Sequence, residues 1–310
     1  MLNIRPYFPD DYLKLLPFLQ KFDPAISNDT WNKLLGYEWE NKLAYKGMLL
    51  ENDDEIVGFL CYILSTKEIG GTEVTFCNIS SWVVNPEFRS KSLKLLSSLF
   101  KIKNIVLVNL SPHENILSIF QALRFDTLAE YEYRINPIKL KFSAPKATQK
   151  VSCKKVTEHT SGIDAKTKKM MHEHRVYPNV HFYEFSVSKN GEQHACILAF
   201  NQKKAVIEGV KNKLKELPYQ LLNNTMQVEL LYCSSTDFLK DYFGEIMTLL
   251  VPLTHARSIN ISEHFFNKKN LPYAWTVKVK KDRPWFLYTD TAINHSAIDI
   301  LYTEKVLLNF

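Results

Sequence analysis

The chain has 310 residues, 45% apolar, 23% charged and 13% aromatic, which excludes a disordered or low-complexity protein and leaves large side chains enough for two ordinary cores. Its 39 basic and 33 acidic residues give a formal charge of +6, compatible with an anionic ligand but short of the basic stripe of a nucleic-acid binder. No apolar run approaches the ~18–20 residues of a membrane span. The first six residues carry no basic region leading into an apolar one. The cysteines (Cys61, Cys77, Cys153, Cys196, Cys233) form no Cys-x-x-Cys pair, so a zinc site or disulfide framework is not expected and a cytoplasmic location fits.

In chain order, residues 4–6 read as the end of a strand, and Asp10 or Asp11 caps a helix carrying Leu13, Leu16 and Leu19, with Pro17 inside it. A second helix is predicted over 29–41, with Trp31, Leu34, Leu35 and Trp39 on one side. Residues 48–50 and 56–62, joined by the acidic turn 51–55, read as a hairpin. The next strand, 73–84, ends at Asn85-Pro86. Leu93, Leu96 and Leu99 then set a helix over 92–101, and 105–110 is a short, fully apolar strand. Ser111-Pro112-His113-Glu114 reads as a capping box opening a helix with the stripe Ile116, Ile119, Phe120 and Leu123, and 131–138 is a further strand.

Residues 145–163, rich in Lys, Ser and Thr, read as a linker. Beyond it come strands at 181–187, 194–200, 228–232 and 258–261, a helix over 238–255, and a final hairpin with arms 273–279 and 285–288. That order echoes the first part. The expectation is an α/β (α+β) chain with mixed sheet and a duplicated fold, divided into domains 1–143 and 144–310.

The segment that points to chemistry is Ser80-Ser81-Trp82-Val83-Val84-Asn85-Pro86-Glu87-Phe88-Arg89-Ser90-Lys91-Ser92-Leu93-Lys94. A strand ends, a short turn carries cations, and a helix starts with small residues. The first-turn amides of a helix lack intrahelical partners and lie at its positive end, which suits a phosphate group. Arg89, Lys91 and Lys94 add charge; Ser90 and Ser92 keep the approach open and donate hydrogen bonds.

At these residues the sequence resembles the GNAT superfamily of acyl-CoA N-acyltransferases. The family pattern V-x-P-x-x-R-x-x-G-x-G/A is met by Val84, Pro86 and Arg89, while Ser92 and Lys94 stand in place of the glycines. The second landmark, N-x-x-A-x-x-x-Y-x-x-x-G-F, is echoed by Asn115, Ser118, Phe120 and Phe125, with Arg124 where glycine is usual. The resemblance implies a GNAT-like fold, here in tandem, and acetyl-CoA or another short acyl-CoA as substrate, with no metal. It places the coenzyme against Trp82, Val83, Val84, Arg89, Ser90, Lys91, Ser92, Leu93, Lys94 and Asn115. It also implies a splayed pair of strands, 73–84 and 105–110, holding the thioester, and an amine as acceptor. The family's glutamate base and tyrosine acid have no counterpart, since residues 76–84 lack a carboxylate and Phe120 takes the tyrosine's place. Asn78, Ser80, Ser81 and His113 are therefore the candidate proton-moving groups.

The cysteine-to-valine run 77–84 and the closing stretch 298–308 resemble a subgroup of long GNAT-like proteins from bacterial surface-polysaccharide gene sets. That implies an amino sugar as acceptor.

The turn 233–237 at the corresponding place in the second half carries Asp237 and no cation. Coenzyme binding is therefore expected in the first half alone, with His181, Tyr183, Glu184, Glu229 and Tyr232 closing the acceptor side. Expected partners are a small-molecule amine or amino-sugar acceptor and no nucleic acid. The basic stretch 206–217 allows at most peripheral membrane contact, and a homodimer stays open. The alternative is a non-catalytic GNAT-fold binding or scaffold module.

Overall fold

The computed structural model describes residues 1–69, 71–143, 150–204, 226–267, 271 and 273–308. The first half contributes β1 (Leu2–Pro6), β2 (Gly47–Asn52), β3 (Glu55–Ile69), β4 (Thr72–Val84), β5 (Ile105–Asn109) and β6 (Asp126–Ile135). The second contributes β7 (Ser152–Val156), β8 (Val180–Lys189), β9 (Glu192–Lys204), β10 (Met226–Cys233), β11 (Ala256–Ser262) and β12 (Thr276–Thr289). Helices α1 (Tyr12–Phe22), α2 (Asn28–Leu35), α3 (Leu93–Ser97), α4 (Leu117–Ala122), α5 (Pro137–Ser143) and α6 (Ala165–His174) are followed by α7 (Thr236–Asp241), α8 (Phe243–Thr254) and α9 (Glu304–Leu307).

All the strands join one twelve-stranded mixed sheet, in the order β1-β2-β3-β4-β5-β12-β6-β11-β10-β9-β8-β7. The order has an internal symmetry: adding or subtracting six from each label and reading backwards returns the same list. Each half has one parallel pair, β4 with β5 and β10 with β11. The sixth strands are exchanged. β12 lies antiparallel between β5 and β6, and β6 lies between β12 and β11.

The central strands are apolar because they are covered on both faces; from Ile56 to Leu64 every residue of β3 is buried. On one face Leu60, Tyr62, Leu95, Leu96, Leu99 and Phe120 form a core beneath α3 and α4. On the other, α1, α2, α6 and the C-terminal stretch share a cluster that spans both halves, with Trp31, Phe59, Met171, Leu231, Ile300 and Leu301 among its members. A third cluster, around Phe243, Phe266 and Trp275, lies under α5, α7 and α8.

Several sequence expectations need correction. The helix over 29–41 stops at Leu35, where Gly36 takes the C-cap; Trp39 is buried beyond it by stacking on His174 at 5.3 Å. The helix over 92–101 is a 3₁₀ turn (Pro86–Lys91), the short α3, and a second 3₁₀ turn (Leu99–Lys101). The helix after β5 is capped by His113, not Ser111, and opens as a 3₁₀ turn. β7 falls inside the expected linker; its sequence Ser-Cys-Lys-Lys-Val fits a sheet edge, where lysines discourage further pairing. The expected final hairpin is the single strand β12, whose pairing with β6 is irregular between Lys280 and Trp285. The stretches 206–217 and 144–149 lie outside the described residues.

Candidate functional site

The parallel pairing of β4 with β5 runs from Thr75 opposite Ile105 to Asn78 opposite Val108 and then stops. β4 continues to Val84 on β3 alone, so the two strands part as a fork. Two asparagines tie its base: Asn78 Nδ2 donates to Val108 O at 3.3 Å, and Asn109 Nδ2 donates to Ile79 O at 3.0 Å. Just above, Leu60 faces Trp82 and Cys61 faces Ser80, which leaves Ser81 as the extra residue of a bulge, with φ 44°. A bulge bends its strand and re-aims the neighbouring groups, here at the point where β4 loses its partner.

A cavity of about 680 Å³ opens at this fork. β4 supplies Ser80, Ser81, Trp82, Val83 and Val84, and the turn after it supplies Arg89 and Ser92. β5 and the segment beyond supply Asn109, Ser111, His113 and Asn115. The side towards α1 and α2 is formed by Phe22, Asp23, Ile26 and Trp31. Three residues of this wall carry buried polar atoms without a hydrogen-bond partner: Trp31 Nε1, Trp82 Nε1 and Asn109 Oδ1. Buried polar groups in folded proteins are nearly always satisfied; these three atoms are closed off from the cavity's open space, so they sit packed behind its wall and are not contacts offered to a ligand.

Of the coenzyme-contacting residues expected from sequence, Trp82, Val83, Val84, Arg89, Ser92 and Asn115 come together in this wall. Ser90, Lys91, Leu93 and Lys94 are exposed and lie outside it. The turn also differs from the expected helix start, because the amides of Phe88 and Ser92 donate to Asn85 O (2.9 Å) and Arg89 O (3.1 Å). With those amides committed to the 3₁₀ turn, the charge of Arg89 is the main attraction for an anion there.

Among the candidate proton-moving groups, Ser80, Ser81 and His113 line the cavity, and His113 Nδ1 accepts from Asn115 N at 3.3 Å. Asn78 is fully buried, and both ends of its amide are taken: Nδ2 by Ile79 O and Val108 O, Oδ1 by the amide of Glu304 at 2.9 Å. That makes it a strut of the fork.

The five second-half residues expected on the acceptor side do not reach the cavity. Glu229 binds Lys305, Glu184 binds Lys154, and Tyr183 accepts from Gln202. Tyr232 packs on the shared core, and His181 lines a separate hollow of about 360 Å³ beside α6.

Sequence reasoning missed Glu304. The closing stretch enters the fork from the second half, and Glu304, at the start of α9, is 3% exposed. Its two carboxylate oxygens accept hydrogen bonds from the hydroxyls of Ser80 and Ser111, one each. Burial pushes its pKa up from the ordinary value; the two serines and Lys305 act in the opposite direction. The available signal was a carboxylate set in a strongly apolar run, Ile298 to Leu308.

The second half has a fork of its own. Pairing of β10 with β11 ends at Glu229 opposite Asn260, and Leu231 is the extra residue of a bulge in β10, as Ser81 is in β4. This fork is filled by the chain itself. Ile300 N donates to Leu231 O at 2.9 Å, and Lys305 Nζ binds both oxygens of Glu229 at 2.9 and 3.0 Å. Two buried histidines hold the same stretch, His264 against Ile298 O (3.0 Å) and His174 against Leu301 O (3.1 Å). Among the described residues no cluster of His, Cys, Asp or Glu side chains could hold a metal ion.

No family model matches the sequence, and no curated protein is significantly similar to it. The fold does have counterparts among solved structures. A GCN5-related N-acetyltransferase from Anabaena variabilis aligns over 93% of this chain and 72% of its own, with a TM-score of 0.55 at 12% identity. A probable N-acyltransferase from Enterococcus faecalis aligns over 96% of this chain and 73% of its own, with a TM-score of 0.56 at 10% identity. A GCN5-related N-acetyltransferase from Kribbella flavida gives 93%, 72%, 0.51 and 11% for the same quantities. The chain therefore has a GNAT-like acetyltransferase fold along most of its length.

Proposed function

We propose that the protein transfers a short acyl group from acyl-CoA to an amine at the β4–β5 fork. The observation that carries this reading is the forked, bulged strand pair opening on a cavity lined by Trp82, Val83, Val84 and Arg89. An extended ligand such as a pantetheine arm would lie along β4 beyond Asn78, where that strand has no β5 partner. Arg89 at the mouth would draw the diphosphate. Backbone amides near Trp82–Val84 would polarise the thioester carbonyl as it gains charge. The acceptor would come from the side of Phe22, Asp23 and Trp31.

The reading implies one coenzyme site per chain, because Ile300 already holds the bulge carbonyl of the second fork. The first half, 1–143, would be the coenzyme-binding domain and 144–310 the degenerate one. The resemblance of the closing stretch to proteins of surface-polysaccharide gene sets supports an amino sugar as acceptor, acylated in the cytoplasm. No helix among the described residues is long and apolar enough to cross a membrane.

A second reading, a binding module without turnover, draws on Phe120, which is fully buried in the place of the family's tyrosine and cannot give a proton. The open cavity, with Phe120 outside its wall, favours the enzyme. Titration calorimetry with acetyl-CoA and with free coenzyme A is the test: heat with micromolar to millimolar affinity is expected, and no heat with either ligand overturns the proposal. Turnover against a panel of amines and amino sugars then separates the two readings.

A further inference from the structure

We infer that Glu304 is the group that takes up the acceptor's proton, acting through the hydroxyls of Ser80 and Ser111; this rests on the acyl-transfer reading above. The two serines stand on opposite prongs of the fork, Ser80 on β4 and Ser111 just beyond β5, and both line the cavity. Each gives its hydroxyl hydrogen to a different oxygen of Glu304. The carboxylate therefore sits behind the wall but is connected to it at two points. Its backbone amide is fixed by Asn78 Oδ1 at 2.9 Å, so the strut of the fork also sets the carboxylate's position.

Among the described residues no cation forms an ion pair with Glu304, and Lys305 acts on it only through space. Lys305, its neighbour on α9, is committed to Glu229. Glu304 in turn helps push up the buried thiol of Cys61 on β3, after burial itself. α2, which packs against α9, buries Trp31, Leu34 and Leu35, while its Asp29 and Lys33 are exposed. A carboxylate in such surroundings is a stronger base than one in water, closer to what a neutral-pH proton transfer needs.

In the transfer itself the amine nitrogen attacks the thioester carbonyl carbon, the C–N bond forms, and the C–S bond breaks with its electron pair leaving on sulfur. The nitrogen's proton passes to the oxygen of Ser80 or Ser111 as that hydroxyl's own hydrogen passes to Glu304. The protonated carboxyl then returns a proton by the same path to the thiolate, giving an amide and free coenzyme A.

Glu304→Gln keeps a partner for both serines and removes the base. Calorimetry with coenzyme A should find its affinity unchanged, kcat should fall by roughly 10²–10⁴-fold, and the acid limb of the kcat–pH profile should disappear. Ser80→Ala with Ser111→Ala should give a similar loss through a different change, so the test survives if the Glu304 variant folds poorly. If the Glu304 variant binds coenzyme A and keeps the wild-type kcat or an unaltered acid limb, the inference is overturned while the coenzyme reading stands. It is overturned in the same way if the serine pair can be removed without loss, or if wild type binds acetyl-CoA and acylates no amine. Absence of coenzyme binding by wild type overturns both.

Discussion

Lys67 and Asp299 join β3 to the closing stretch across the shared core, and breaking this pair tests how firmly that stretch is held. Lys67 Nζ lies 2.9 Å from Asp299 Oδ1, with side-chain exposures of 6% and 11%. The ammonium sits 3.4 Å above the ring of Phe76 and 4.6 Å from that of Tyr302, and Asp299 Oδ1 also accepts from Leu301 N at 3.1 Å. Burial pulls the Lys67 pKa below its ordinary value, with Asp299 opposing, so the pair gives little net stability while both members are present. Removing one member is different, because it leaves a buried charge without compensation. Lys67→Met should cost about 3–5 kcal/mol, seen in urea denaturation as a midpoint lower by roughly 1 M or more. Lys67→Met with Asp299→Asn should recover most of that loss, giving a large coupling energy in the double-mutant cycle. A Lys67→Met protein less than ~1 kcal/mol below wild type, or a double variant as unstable as the sum of the singles, would refute this account.

Other outcomes follow from the same structure. Arg89→Ala should weaken coenzyme A binding more than Lys91→Ala, since Arg89 lines the cavity and Lys91 does not; calorimetry should show both losses shrinking as salt is raised. Phe120→Ala should destabilise by about 3–5 kcal/mol, because the ring is fully buried against Phe125 and Phe286 at 4.7 and 5.4 Å; a loss of activity at unchanged stability would instead assign the ring a chemical role. Glu304 has a folded-state pKa above its unfolded one, so the native protein binds the extra proton more tightly, and its contribution to stability is lost as pH rises through the folded value. Denaturation from pH 4 to 8 should therefore show Glu304→Gln gaining on wild type with rising pH, and a constant difference would count against the raised pKa.

Much of the first half was legible in the sequence because its signals are local. Val84, Pro86 and Arg89 lie within one turn, and the apolar runs of β3 and β5 reflect burial that any neighbour imposes. Ser81 could be placed on a strand, but its bulge depends on the register with Leu60 and Cys61 and leaves no compositional trace. The start of α3 was misjudged for a related reason: the small and charged residues after Pro86 suit a 3₁₀ turn as well as a helix cap. The five residues expected on the acceptor side were drawn from strands whose neighbours could not be known; Glu184, Tyr183 and Glu229 find partners on β7, β9 and α9 instead of at the β4–β5 fork. Glu304 was out of reach because its two serines are 224 and 193 residues away.

The exchange of β6 and β12 bears on how the molecule can be divided. A fragment ending at residue 143 would keep β5 and β6 but lack the strand that lies between them, and the complementary fragment would lack the one between β11 and β12. Neither piece carries a complete sheet, so a gene encoding one half should yield aggregated product. A protease site engineered between residues 143 and 150 should give two fragments that stay associated until denatured. The traded strands make each half's sheet depend on the other, so a change at β6 or β12 is felt in both halves at once.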